Sequence, residues 1–177
     1  MKSIKDFVII KDNFFEQETY QKIINDMLTL NFSNRHTTVG KKYQNPAQKI
    51  YFNVGLDKEY FAVKEVCKIL KEMGFKVEGE EHNYFLSTKH AKMTPHIDPC
   101  GLNCLIYLKG LTMLNSGTGF YEYLKEADDF IISRHIGFKE NRAIIFDSKI
   151  PHASLQFNEV TGTRYIMSNF FKQIEMD

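Results

Sequence analysis

Apolar positions along this chain follow two different periods, and the change between them divides the fold. Phe7-Val8-Ile9-Ile10 reads as a short apolar strand, and Lys11-Asp12-Asn13 supplies turn chemistry after it. Asn13 with Glu16 three residues later resembles a capping box. Tyr20, Ile23, Ile24, Met27 and Leu28 then recur at helical spacing and predict a helix over about 14 to 30. A second helix is predicted over about 58 to 73. Its signals are Asp57 as N-cap, the apolar set Tyr60, Val63, Cys67 and Leu70, and Gly74 at the left-handed position after the last turn. Residues 31 to 48 are polar and contain Asn45-Pro46, the composition of a long loop that could border a site.

From about residue 76, short runs rich in Tyr, Phe, Ile and Val alternate with Gly, Asn, Asp and Pro. The predicted strands are 83–88, 93–98, 103–108, 119–123, 130–137, 142–146, 153–157 and 164–171. Eight short strands after two helices predict a mainly β protein, a sandwich or barrel with the helices packed outside it. At 177 residues the chain is expected to form one domain, with 1–75 as a mostly helical support and 76–171 as the core.

Charge and cysteine content narrow the function. Lys plus Arg number 23 against 22 for Asp plus Glu, a net +1, without the basic excess of a general nucleic-acid coat protein. No uncharged apolar run approaches the roughly 18 to 20 residues of a membrane span, and Met1 to Ile10 lacks the apolar core of an export signal. The expectation is a soluble cytoplasmic protein with neither a membrane nor a nucleic-acid partner. Cys67, Cys100 and Cys104 read as ordinary thiols, because Cys100 and Cys104 lack the second pair that a structural zinc site requires.

Candidate chemistry begins at Pro95-His96-Ile97-Asp98. On an extended segment, residues two apart point to the same side, so an imidazole and a carboxylate can share one metal. His-x-Asp alone is a weak motif. His152 changes its weight, because it follows the apolar run Ala143-Ile144-Ile145-Phe146 and can return to the same metal from a late strand end. Two imidazoles and one carboxylate form a facial triad that leaves three open positions on octahedral Fe(II). Arg164 shares a face with Ile166 and Ser168 in the last strand. If that face is interior, the guanidinium needs an anion, and its fork suits a carboxylate held bidentately.

These residues, in this order, resemble the iron(II) and 2-oxoglutarate-dependent dioxygenases, especially their prolyl-hydroxylase-like branch. The resemblance covers about residues 83 to 171. His96-Ile97-Asp98 is similar to the family's His-x-Asp pair, and Cys104-Leu105-Ile106-Tyr107-Leu108 to the strand that follows it. Gly117-Thr118-Gly119-Phe120-Tyr121 resembles the glycine-rich turn, Asn141 to Asp147 with His152 the strand leading to the distal histidine, and Thr163-Arg164-Tyr165 the strand with the basic residue. The gap from His152 to Arg164 is slightly longer than in the closest hydroxylases, and Ser168 lies four residues after Arg164 where another branch has Arg-x-Ser.

The resemblance implies a double-stranded β-helix, or jelly roll, with Fe(II) on His96, Asp98 and His152. It implies that 2-oxoglutarate meets Arg164 with its far carboxylate, assisted by the Tyr107 hydroxyl, with Tyr84 a second residue placed to touch it. The cosubstrates would be 2-oxoglutarate and O2, the co-products succinate and CO2, and the outcome hydroxylation of a C–H bond; ascorbate is compatible as an accessory. The primary substrate would be a small molecule or a peptide, walled by residues 31–48, 87–94 and 110–118. The rival expectation is a noncatalytic jelly-roll module that binds a metal or a small acid, because one barrel hosts many functions.

Overall fold

In the computed structural model, residues 7–30, 32, 51–88, 94–155 and 163–176 are described. Among these described residues, nine strands and two helices run in the order β1 (Val8–Lys11), α1 (Gln17–Met27), β2 (Tyr51–Gly55), α2 (Phe61–Glu72), β3 (Phe75–Thr88), β4 (Leu102–Lys109), β5 (Met113–Leu124), β6 (Asp129–Phe138), β7 (Arg142–Asp147), β8 (His152–Ser154) and β9 (Arg164–Met176). A six-stranded sheet has the order β1-β7-β4-β9-β3-β2 and a three-stranded sheet the order β6-β5-β8. All of these ladders are antiparallel. The protein is a mainly β jelly roll with two flanking helices: the alternating pattern predicts the β core and the outer helices, and the family resemblance implies the jelly roll. Among the described residues no helix is long and apolar enough to cross a membrane.

Strand β4 shows how a period of two builds two cores. Leu102, Cys104, Ile106 and Leu108 face the helices, where they join Ile23, Met27, Val63, Val66 and Leu70. Tyr107, on the opposite face, packs between the sheets with Phe120, Ile136, Phe138, Ile144, Phe146 and Ile166. Each fully buried aliphatic side chain of this kind contributes about 1.5 to 3 kcal/mol of transfer free energy. The helices therefore cover the outer face of the large sheet, and the inner face is left to shape a cavity.

Several local expectations are corrected. Asn13 does not cap α1: the N-cap is Glu16, which makes no side-chain cap hydrogen bond, and Asn13 sits at φ 51 in the preceding turn. That turn is held instead by buried Asn141, whose side chain accepts from Phe15 N at 3.0 Å and donates to Phe15 O at 2.9 Å. Asp57 likewise lies outside α2, whose N-cap is Tyr60; its carboxylate accepts from Glu59 N at 2.7 Å in the turn before the helix. The buried stripe of α2 is Ala62, Val63, Val66, Ile69 and Leu70, with Cys67 only partly covered. Gly74, at φ 87, ends the helix as its position predicts. Residues 113–118 belong to β5 rather than to a loop, and β2 and the first half of β3 extend the sheet beyond the predicted strands. The predicted loop at 31–48 lies outside the described residues except for Phe32.

Asp12 ties the end of β1 to the start of β7. Arg142 donates to it through Nε at 2.6 Å and Nη2 at 3.1 Å, and Lys139 Nζ donates at 2.7 Å. The Arg142 hydrogen bond, with that of Lys139, lowers the Asp12 carboxyl to about 2. A carboxylate depressed in the fold contributes stability that is complete above its unfolded value of about 3.9 and is lost as pH falls toward 2. The pair is partly solvated, so the contribution is modest. Asp12→Asn should thus lower stability at pH 6 and flatten the decline between about pH 4 and 2. Urea unfolding across that range checks it; an unchanged slope would mean that the pair contributes nothing.

Candidate metal centre

The two halves of the centre meet through backbone rather than side chains. Residues 94–98 do not form the predicted strand: His96 makes a single bridge to His152, donating N–H to its carbonyl at 3.1 Å and accepting from its N–H at 2.9 Å. Two residues on, Asp98 N donates to Ser148 O at 3.0 Å. A short extended segment is thus laced to the turn before β8, and this keeps His96 and Asp98 on one side as their spacing requires.

The ligating atoms of His96, Asp98 and His152 all lie within 4.8 Å of one another. His152 Nε2 is 3.2 Å from Asp98 Oδ2, and His96 Nε2 is 3.9 Å from Asp98 Oδ1. Both rings are fixed from behind, because His96 Nδ1 donates to Thr94 O at 3.2 Å and His152 Nδ1 donates to Ile150 O at 2.9 Å. A carbonyl can only accept, so each Nδ1 carries a proton, and each Nε2 is the ring atom turned toward the other two residues. Burial works to raise the Asp98 carboxyl, but hydrogen bonds from His152 and Asn103 outweigh it and hold the group below its ordinary value. Two imidazoles presented through Nε2 and one carboxylate form a donor set suited to a divalent first-row metal.

A cavity of about 180 Å³ opens beside these three residues and runs between the sheets. Tyr84, Leu86, Leu105, Thr118, Ile166 and Ser168 are among its walls. Tyr84 faces Ser168 across the β3–β9 ladder, and burial followed by the charge of Asp98 raises its phenol above the ordinary range. The shared face of the last strand is interior: Ile166 joins the inter-sheet core, Ser168 reaches the cavity, and Arg164 is only 4% exposed. Arg164 and Tyr107 do not line the cavity itself. They lie together beyond its wall, with the Arg164 guanidinium 5.5 Å from the Phe138 ring and the Tyr107 ring 4.7 Å from the same ring.

Two polar residues that the sequence did not single out complete the arrangement. Thr118 Oγ1 is 2.7 Å from the Tyr107 hydroxyl, and Asn103 Nδ2 donates to Asp98 Oδ2 at 2.6 Å. Each is a polar residue at an inward position of its strand, a signal visible only once the strand's inner face is known. Gly117 explains why the Gly117-Thr118-Gly119 stretch carries no side chain there: at φ 149, a Cβ on Gly117 would sit 2.0 Å from Ile136 O.

No family model matches this sequence, and no curated protein matches it. Solved structures do. The α-ketoglutarate-dependent epimerase SnoN from nogalamycin biosynthesis superposes with a TM-score of 0.63 at 9% identity, over 96% of this chain and 79% of that one. A prolyl hydroxylase from Trichoplax adhaerens, in complex with a hypoxia-inducible-factor peptide fragment, gives 0.60 at 14% identity, over 93% and 83%. HygX from Streptomyces hygroscopicus, with nickel and 2-oxoglutarate bound, gives 0.58 at 7% identity, over 95% and 83%. This is the fold of the 2-oxoglutarate–iron oxygenases. In this oxygenase fold the His96, Asp98 and His152 cluster sits at the opening of the inter-sheet cavity, and Arg164 starts a strand that borders it.

Burial pushes the Tyr107 phenol up to about 12 against the opposing effects of the Thr118 hydrogen bond and the Arg164 charge, so Tyr107 is protonated at neutral pH. Its bond to Thr118 is a neutral pair worth about 0.5 to 1.5 kcal/mol. A double-mutant cycle of Tyr107→Phe and Thr118→Val, read by denaturant unfolding, should show a coupling of that size. Additive effects would place the two hydroxyls in separate interactions.

Proposed function

We propose that this chain is an iron(II)- and 2-oxoglutarate-dependent oxygenase that hydroxylates a C–H bond of a small molecule or a peptide. The observation that carries the reading is the convergence of two back-braced imidazoles and a carboxylate at the opening of the cavity, in this fold.

His96 and His152 would hold the metal through Nε2, and Asp98 would supply the carboxylate oxygen. When bound, iron and 2-oxoglutarate supply the O2-dependent oxidation whose co-products are succinate and CO2. The chain holds, orients and shields those groups. Leu86, Leu105, Phe146 and Ile166 give the cavity apolar walls that exclude water and strengthen every polar contact inside it. Arg164, buried and stacked on Phe138, would take the far carboxylate of 2-oxoglutarate. Tyr107 would assist it as a protonated donor braced by Thr118. Tyr84, at the other end of the cavity and near Asp98, would border the metal-binding end of the cosubstrate.

The test is anaerobic calorimetry with Mn(II) and then 2-oxoglutarate, followed by aerobic turnover with Fe(II) read as succinate and a gain of one oxygen atom in the substrate. One Mn(II) per chain is expected, lost in Asp98→Ala and in His152→Ala. Arg164→Ala should leave Mn(II) binding nearly intact and weaken 2-oxoglutarate strongly. Loss of one partner of a buried charge pair costs about 3 to 5 kcal/mol, roughly a hundredfold to several thousandfold in affinity. Unchanged 2-oxoglutarate affinity in Arg164→Ala would remove Arg164 from the site. Metal and 2-oxoglutarate binding without any succinate, even across a broad substrate screen, would favour a noncatalytic binding module.

A further inference from the structure

Asn103 is a carboxamide placed among apolar neighbours near the start of β4, 4% exposed and on the inner face. Its amide group is oriented from both ends. Nδ2 donates to Asp98 Oδ2 at 2.6 Å, and Oδ1 accepts from the Cys100 thiol at 2.9 Å. An ionised carboxylate only accepts and the thiol acts as donor, so both neighbours select the same amide orientation. The alternative acceptor of the thiol, Leu102 O, lies farther away at 3.7 Å.

The frame under this relay is tightly laced. Gly101 N donates to Phe171 O at 2.8 Å, Ser148 N donates to Gly101 O at 3.3 Å, and the Ser148 hydroxyl donates to Cys100 O. Asp98 and Cys100 are therefore held on a laced segment that leads directly into β4, which carries Asn103. A carboxylate can rotate about its Cα–Cβ and Cβ–Cγ bonds, and a donor fixed on one oxygen removes most of that freedom. Oδ1 then remains on the side that faces His96.

We propose that Asn103 is a positioning residue for the metal centre: its amide, set by Cys100, locks the rotation of the Asp98 carboxylate and confines it to coordination through one oxygen. This rests on the reading of His96, Asp98 and His152 as metal ligands. Three strong donor positions set in advance leave the metal's remaining positions free, and they bind more tightly than three donors of which one must be ordered on binding.

The experiment uses the full chain under anaerobic conditions, with Mn(II) affinity by calorimetry and the visible absorption of bound Co(II) as readouts, neither of which depends on turnover. Asn103→Leu should bind Mn(II) about 10 to 100 times more weakly than the wild type, with a shifted Co(II) spectrum. Asn103→Ala removes the donor without adding charge or bulk and should show the same loss, which keeps the test decisive should the leucine variant fail to fold. Cys100→Ala should show a smaller loss, and Cys100→Ser, which retains a donor, should keep more affinity than Cys100→Ala. Unchanged affinity and spectrum in both Asn103 variants, with binding still abolished in His152→Ala, would overturn the positioning role and leave the metal centre standing. Failure of the wild type to bind either ion would overturn both.

Discussion

The reciprocal backbone pair between His96 and His152 is the contact on which the site depends. It joins a segment of irregular backbone to the first residue of β8, and its two hydrogen bonds set the separation of the two imidazoles before any side chain is considered. The rings then lie with centroids 4.7 Å apart, and Phe120 and Phe146 pack against His152. These aromatic neighbours belong to the inter-sheet core, so displacement of His152 would require the core to open. Placement of the site is thereby coupled to the stability of the fold.

The same economy governs the two faces of the large sheet. Its outer face is closed by helices whose apolar stripes bury Tyr20, Ile23, Ile24 and Met27 on α1 and Val63, Val66 and Leu70 on α2. Tyr20 adds a hydroxyl that donates to Leu108 O at the end of β4. With that face sealed, inward positions can carry Asn103, Thr118, Ser168 and Arg164 without exposing the main core to water. Polar residues are costly at such positions unless they find partners. Asn103 and Thr118 find theirs in the residues that would hold the metal and its cosubstrate.

Much of this was legible in the sequence because it is written in periodicity. The shift from helical spacing to alternation marks the helices and the β core, and alternation in the last strand puts Arg164, Ile166 and Ser168 on one face. Resemblance to a known family then linked His96, Asp98, His152, Tyr107 and Tyr84 into one arrangement. The helix caps were misread because Asn13 and Asp57 serve the preceding turns, where their side chains and backbone meet needs that local pattern does not reveal. Asn103 and Thr118 escape the sequence for a related reason: a polar residue in a strand points to a site only after the inner face and its neighbours across the sheet are known. The 94–98 segment reads as a strand because His96 and Asp98 do share one side as in a strand, although its backbone makes only the single bridge at His96 and one further bond from Asp98 N to Ser148 O.

The most direct test of the central claim is crystallographic: crystals grown with Mn(II) and 2-oxoglutarate, with anomalous scattering used to locate the ion. The account predicts one anomalous peak bounded by His96 Nε2, His152 Nε2 and a single oxygen of Asp98, with the 2-oxoglutarate chain running between the sheets toward Arg164. A peak elsewhere, or 2-oxoglutarate density that never enters the space between the sheets, would contradict it.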